Sequence, residues 1–137
     1  MSEENVEIVR QVWKVLTGRG LETALESYSG WYAEECVFED FPEMPDRAIY
    51  RGREGVRLRT THFADTWGDF VMEPREFIDV GDHHVVAVID MTGHGKGSGA
   101  PLDAQAVFVY DFESGLIVRD RAFTSRDQAF EAAGIQK

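Results

Sequence analysis

Apolar positions recur at helical spacing in the first half of the chain and alternate in the second half. Val6, Val9, Val12 or Trp13, and Leu16 predict an amphipathic helix over residues 3–17. Ser2 can cap it, Glu3 and Glu4 suit the positive end of its dipole, and Gly18-Arg19-Gly20 stops it. Leu21, Ala24, Leu25 and Tyr28 predict a second, short helix over 21–28. Trp31-Tyr32 closes it, and Val37–Asp40 reads as the first strand. A third helix runs from near Arg53 to Gly68, with Val56, Thr60, Phe63, Ala64 and Trp67 as its buried stripe. Beyond Gly68 the period falls to two. Strands are predicted over Phe70–Val80, His83–Gly95, Ala104–Phe112 and Leu116–Thr124. Pro74 suggests an edge or a bulge in the first of these. Gly81-Asp82 and Glu113-Ser114-Gly115 turn the chain, and Gly93–Gly99 carries a bend or hairpin. Arg126–Ala133 predicts a terminal helix stopped by Gly134.

This order is helix, helix, strand, helix, then a meander of strands. Tight turns imply antiparallel pairing, and helices gathered at one end of such a sheet imply an α+β fold. The expected architecture is a curved antiparallel sheet wrapped over three N-terminal helices, leaving a conical pocket (a cystatin-like α+β roll). Residues 1–137 fit one domain.

Composition narrows the function classes. The net charge of −11 disfavours nucleic acid and anionic membrane as partners. The longest apolar run, Val85–Ile89, is too short to span a bilayer, and the polar start Met-Ser-Glu-Glu-Asn is not a signal peptide. A cytoplasmic protein is the expectation. The lone Cys36 excludes an internal disulfide and reads as a buried, inert thiol. His62, His83, His84 and His94 show no metal-ligand spacing. Gly93–Gly99 lacks the Gly-Lys-Ser/Thr ending of a phosphate loop. Neither a metal nor an organic cofactor is expected.

The element order carries several local signatures. They are Val6-Glu-Ile-Val-Arg, Tyr32-Ala-Glu-Glu-Cys-Val-Phe-Glu-Asp, Tyr50-Arg-Gly-Arg-Glu-Gly-Val, Gly95-Lys-Gly-Ser-Gly, Gly115-Leu-Ile-Val-Arg and Arg126-Asp-Gln-Ala-Phe-Glu-Ala-Ala-Gly. Together they resemble the SnoaL-like branch of the nuclear transport factor 2-like superfamily over nearly the whole chain. That superfamily holds isomerases, cyclases, dehydratases, epoxide hydrolases and pure binding modules, so the resemblance implies a fold more than a reaction.

Three aspartates are the candidate catalytic groups. Asp40 matches the place where the related ketosteroid isomerases keep a general base. Their oxyanion-hole tyrosine and its partner acid fall near Val12 and Val107 here, which disfavours steroid isomerisation. Asp90 interrupts the apolar strand Val85-Val-Ala-Val-Ile-Asp-Met, and alternation puts residues 86, 88, 90 and 92 on one face. Limonene-type epoxide hydrolases carry an acid at that place within an Arg-x-Asp pair. Here Val88 replaces the arginine and Ala122 the second acid, so epoxide opening is disfavoured too. Asp120 shares a face with Val118, Ala122 and Thr124, and analogy with those relatives turns this face inward. Each aspartate also has a plainer reading, as a strand-end cap or as an ion-pair partner of a nearby arginine.

Trp13, Tyr32, Phe38, Tyr50, Phe63 and Trp67 are the aromatic candidates for lining the pocket. His94 shares parity with Asp90, and Gln105 has the cavity parity of its strand, so both join the candidate ligand contacts. Phe108, Tyr110 and Phe123, with Arg119 and Arg121, are expected on the outer sheet face, where they would form a homodimer contact. The sequence thus predicts a small-molecule-binding protein with an apolar pocket. The alternative is a cofactor-independent isomerase, cyclase or hydrolase working on a small hydrophobic or polyketide-like substrate through a carboxylate.

Overall fold

A computed structural model describes residues 2–18, 26, 30–42, 48–81, 83–95 and 99–134, without side chains for residues 2, 18, 63–70 and 102. Its elements run α1 (Ser2–Gly18), β1 (Tyr32–Glu39), β2 (Ile49–Arg51), α2 (Gly52–Thr66), β3 (Trp67–Asp79), β4 (His84–Gly95), β5 (Pro101–Glu113), β6 (Leu116–Phe123) and α3 (Arg126–Ala133). The second helix expected over 21–28 lies almost wholly outside the described residues. The short strand β2 was not foreseen: a strand of 3 residues offers too little alternation to read.

The six strands form one sheet in the order β2-β1-β6-β5-β4-β3. The meander β3 to β6 is antiparallel, as the turns imply. The pairing of β1 with β6 is parallel, which makes the sheet mixed. These two strands are joined through α2 and the whole meander rather than by a turn, which is what a parallel pair requires.

One hairpin fixes which side chains face inward. Between β5 and β6 the turn residues Ser114 and Gly115 have φ of 52° and 79°, the left-handed conformation of a two-residue hairpin loop. Next to the turn, Glu113 pairs with Leu116 and Phe112 with Ile117. Past a register shift at Asp111/Phe112, Asp111 pairs with Arg119 and Tyr110 with Asp120. The bulged strand gains a residue there, so even positions of β5 now face the same side as even positions of β6.

The sheet separates two apolar clusters. On its concave side, Val85, Ala87, Ile89 and Met91 of β4, with Ala106, Phe108, Tyr110 and Phe112 of β5, pack against Val9, Val12 and Trp13 of α1 and Val56 of α2. On the other side, Val86, Val88, Val107 and Val109 meet Ala129 and Ala133 of α3. Small alanines at i and i+4 let that helix lie close on a valine surface. Ser125 caps α3 by accepting from the Gln128 N–H, and Gly134 ends it at φ 81°.

α1 packs across β3 and β4, while α2 packs against β1 and β2. Gly55 allows that second contact, since a Cβ there would lie 3.0 Å from the Tyr50 carbonyl carbon. No helix among the described residues is long and apolar enough to cross a membrane.

Candidate functional site

Between the concave face and the helices lies a cavity of about 70 Å³. Its wall takes Val12, Trp13 and Leu16 from α1, Tyr32 and Phe38 from β1, and Val56, Arg59 and Thr60 from α2. Met72, Met91, Phe108, Tyr110 and Asp120 complete it from β3 to β6. The lining is mainly aromatic and aliphatic, with a few polar groups converging on one region, the usual make-up of a ligand site.

Asp120 is the chemical centre of this wall. It is 3% exposed, and its Oδ2 accepts a hydrogen bond of 2.8 Å from the Tyr32 hydroxyl. Oδ1 is buried and accepts no hydrogen bond from any described residue. Burial pushes this carboxyl up to about 7, against the opposing pull of the Tyr32 hydrogen bond and the Arg59 charge; the Asp111 charge adds to the rise. Near neutral pH both its protonated and its ionised form are therefore within reach. It can serve as acid or as base toward a group placed against it. The same burial, with the Asp120 charge, raises the Cys36 thiol and keeps it an inert neutral neighbour.

The surrounding groups hold Asp120 and its neighbours in place. Arg53 Nε on α2 donates to the Tyr32 backbone carbonyl at 2.9 Å, tying β1 to the helix. Trp13 Nε1 donates to the Tyr110 hydroxyl at 3.0 Å, joining α1 to the strand that pairs with Asp120. Trp13 and Phe108 stack obliquely with ring centroids 5.1 Å apart. Arg59 lies over the Phe38 ring at 5.0 Å and pairs with Asp40 at 3.2 Å.

Asp40 itself is buried but does not line the cavity. Its Oδ1 accepts from both the Phe41 N–H and Arg59. It stands behind the arginine, one layer away from any ligand.

Asp90 and Gln105 correct the expected parity. Both point to the convex side, where Asp90 accepts from Arg75 Nε at 2.5 Å and from Gln105 Nε2 at 2.9 Å. These two hydrogen bonds, Gln105 first, hold the Asp90 carboxyl below its ordinary value. The physical reason is the bulge at Asp111/Phe112. An unbulged hairpin with Asp120 inward would bring the odd positions of β5 and the even positions of β4 inward. The extra residue reverses both. His94 shares the strand and parity of Asp90 and is not among the cavity's lining residues.

The same reversal moves the expected dimer residues. Phe108 and Tyr110 line the cavity instead of the outer face. Phe123 packs into the cluster under α3. Arg121 pairs with Asp111 at 3.1 Å, and Arg119 with Glu39 at 2.6 Å.

Of the aromatic candidates, Trp13, Tyr32 and Phe38 line the cavity. Tyr50 stands behind Phe38, edge-on at 6.3 Å. The side chains of Phe63 and Trp67 lie outside the described residues. Sequence reasoning missed Arg59 altogether. Its signal was its place three residues after Val56 and four before Phe63, within the buried stripe of the helix. No group of three His, Cys, Asp or Glu among the described residues is placed to hold a metal.

Known proteins share this architecture. The family model described as a SnoaL-like domain matches residues 9–120. A solved NTF2-like protein from Burkholderia xenovorans LB400 is 21% identical, with a TM-score of 0.74 over 97% of this chain and 98% of its own. A protein from Jannaschia sp. CCS1, provisionally named a SnoaL-like polyketide cyclase, is 15% identical, with a TM-score of 0.77 over 99% and 95%. A protein with a ketosteroid isomerase-like fold from Catenulispora acidiphila DSM 44928, solved in complex with trimethylamine, is 18% identical, with a TM-score of 0.69 over 95% and 94%. No protein of curated function matches the chain.

Proposed function

The chain belongs to the SnoaL-like domain family, and from that premise we propose that it binds a small, largely apolar molecule in the cavity and moves a proton on it through Asp120. One buried carboxyl, raised to about 7 within an apolar wall, carries this reading. A group poised near the working pH is suited to both halves of a proton transfer. Tyr32 orients it, and its Oδ1 is the oxygen left for a substrate hydrogen. The reaction class this supports is isomerisation or another rearrangement that begins by removing a proton from carbon.

Size argues for a small substrate. A cavity of about 70 Å³ is well below the pockets that enclose drug-sized ligands, roughly 300 Å³ and more. The trimethylamine held by the Catenulispora acidiphila protein supports a small occupant in this fold. The name of the Jannaschia protein points to polyketides instead. A polyketide chain would need the helices to part.

A binding protein without catalysis is the second reading. It is favoured by Val12 on the cavity wall and Val107 on the opposite face, where the resembling isomerases keep their donors. Proton NMR in deuterated water separates the two, with cyclopentanone as the probe. Catalysed exchange of its α-hydrogens by the wild type, with a pH midpoint near 7 and loss in Asp120→Asn, is the expected result. Cyclopentanone that binds without catalysed exchange leaves the binding reading in place.

The homodimer is also a proposal. The convex face beyond α3 carries Val37, Ile49 and Val118 beside Arg51 and Arg119, with Ile49 51% exposed. We place the contact there. Sedimentation at micromolar concentration should show a dimer, and a monomer would end the idea.

A further inference from the structure

Asp120 explains where a proton would go but not where charge would develop. Removing a proton from carbon leaves an electron pair that must be received elsewhere, and the receiving group must already be in place. Arg59 is the only cation among the described lining residues of the cavity. It comes from α2, on the helical wall, while Asp120 comes from the sheet wall. Both side chains line the same cavity of about 70 Å³, so they border one small space. The Arg59 charge favours the ionised form of Asp120, against its burial.

We propose that Arg59 receives the oxygen of a small enolisable carbonyl substrate, and that Asp40 is the positioning residue that holds it there. The inference rests on the proton-transfer reading of Asp120 and adds the substrate class. In the step, the Asp120 carboxylate takes the hydrogen from the carbon next to the carbonyl. The C–H electron pair forms the new C=C bond, and the C=O pair moves onto oxygen, whose negative charge faces the guanidinium. Return of the proton from Asp120 to carbon restores the carbonyl and the carboxylate.

Three observations fix Arg59 for this task. Its side chain is only 11% exposed, so its charge is weakly screened. Asp40 grips it from behind at 3.2 Å, and Phe38 lies beneath it at 5.0 Å. Asp40 in turn is locked by the Phe41 N–H, at 2.9 Å. A planar guanidinium so held presents its donors without rearrangement. The acid at the place of the isomerase base therefore serves the oxygen end of the substrate, and Asp120 serves the hydrogen end.

Tetronic acid tests this. It is a five-membered ring whose enol is ionised at neutral pH, so it mimics the enolate. Its binding is read by calorimetry with the wild type, Arg59→Met, Asp120→Asn and the double variant Asp40→Asn/Arg59→Met. The double variant removes both members of the Arg59–Asp40 pair, so neither is left buried without the other. Melting curves confirm the fold.

The wild type should bind tetronic acid more tightly at pH 6 than at pH 8. At the lower pH Asp120 is protonated and can donate, while at the higher pH its charge repels the anion. The groups facing Asp120 are Tyr32 and Cys36 from β1, Arg59 from α2 and Tyr110 from β5; Asp111, on the other face of the sheet and paired with Arg121, acts on Asp120 only through its charge. Loss of Arg59, alone or with Asp40, should weaken binding by about tenfold or more. Asp120→Asn should bind, with the pH dependence gone. Failure of the wild type to bind, or binding unchanged without Arg59, overturns the proposal. If cyclopentanone exchange still depends on Asp120 in that event, the proton-transfer reading survives without it.

Discussion

Asp120 and Asp90 sit in strands of the same sheet and look alike in sequence, yet they live in opposite chemistries. Asp120 faces inward, with one hydrogen bond from Tyr32, and burial raises it to about 7. Asp90 faces outward, where Gln105 and Arg75 both donate to it and hold it below its ordinary value. The carboxylate with more partners is the less reactive one. A fully satisfied, solvated acid stays ionised, whereas a buried acid with an open oxygen is a store for a proton.

The sharpest way to break this contrast is at the inner face itself. Phe108→Ala removes a ring that contacts Trp13 and borders the cavity. A loss of about 3–5 kcal/mol is expected in urea unfolding.

Asp120→Asn tests the charge. A carboxyl raised in the folded state favours folding below its unfolded value and costs stability as pH rises from there to about 7. The wild type should therefore lose stability between pH 4 and pH 7 and change little above. The total is on the order of 4 kcal/mol at most. The variant should lack this slope and be the more stable protein at pH 8. A flat wild-type profile would remove Asp120 from consideration.

Tyr32→Phe is a smaller change. It deletes the hydrogen bond that favours the ionised form, so Asp120 should titrate higher still, as read by carboxyl carbon NMR. Stability at pH 8 should fall by about 1–2 kcal/mol. The least effect belongs to the outer face: Asp90→Asn should leave both the thermal midpoint and tetronic acid binding where they were. A change in ligand binding there would mean that the two faces are coupled.

Most of the architecture was legible in the sequence because it rests on period. The switch from helical spacing to alternation at Gly68 is visible, and the helix Arg126–Ala133 was read to its residue limits. The SnoaL-like resemblance matches the family to which the chain belongs. The parallel pairing of β1 with β6 is a long-range contact with no local signal.

The site was only half legible. Asp120 was placed inward, and Trp13, Tyr32 and Phe38 were placed on the cavity wall. Asp90, Gln105, Phe108 and Tyr110 occupy the faces opposite to those that simple alternation predicts. Both faces of β4 and β5 are apolar through Val85–Ile89 and Ala106–Tyr110, so alternation there has no polar side to mark the outside. One signal could have decided it. Ala129 and Ala133 form a stripe of small residues on which Val107 and Val109 lie, and this stripe marks the helix side of the sheet.

The bulge between Asp111 and Phe112 has a consequence for how such a protein changes over time. Residues along a strand alternate like a wave of period two, and one added residue shifts its phase by half a cycle. The extra residue is Val118 of β6, and deleting it would reverse β5 relative to β6: with Asp120 kept inward, Asp90 and Gln105 would turn in and Phe108 and Tyr110 out, with no substitution at any of those positions. Length at this hairpin should therefore be held more strictly than identity. A lineage can vary the side chains of its cavity freely only while it keeps count of the residues that lead there.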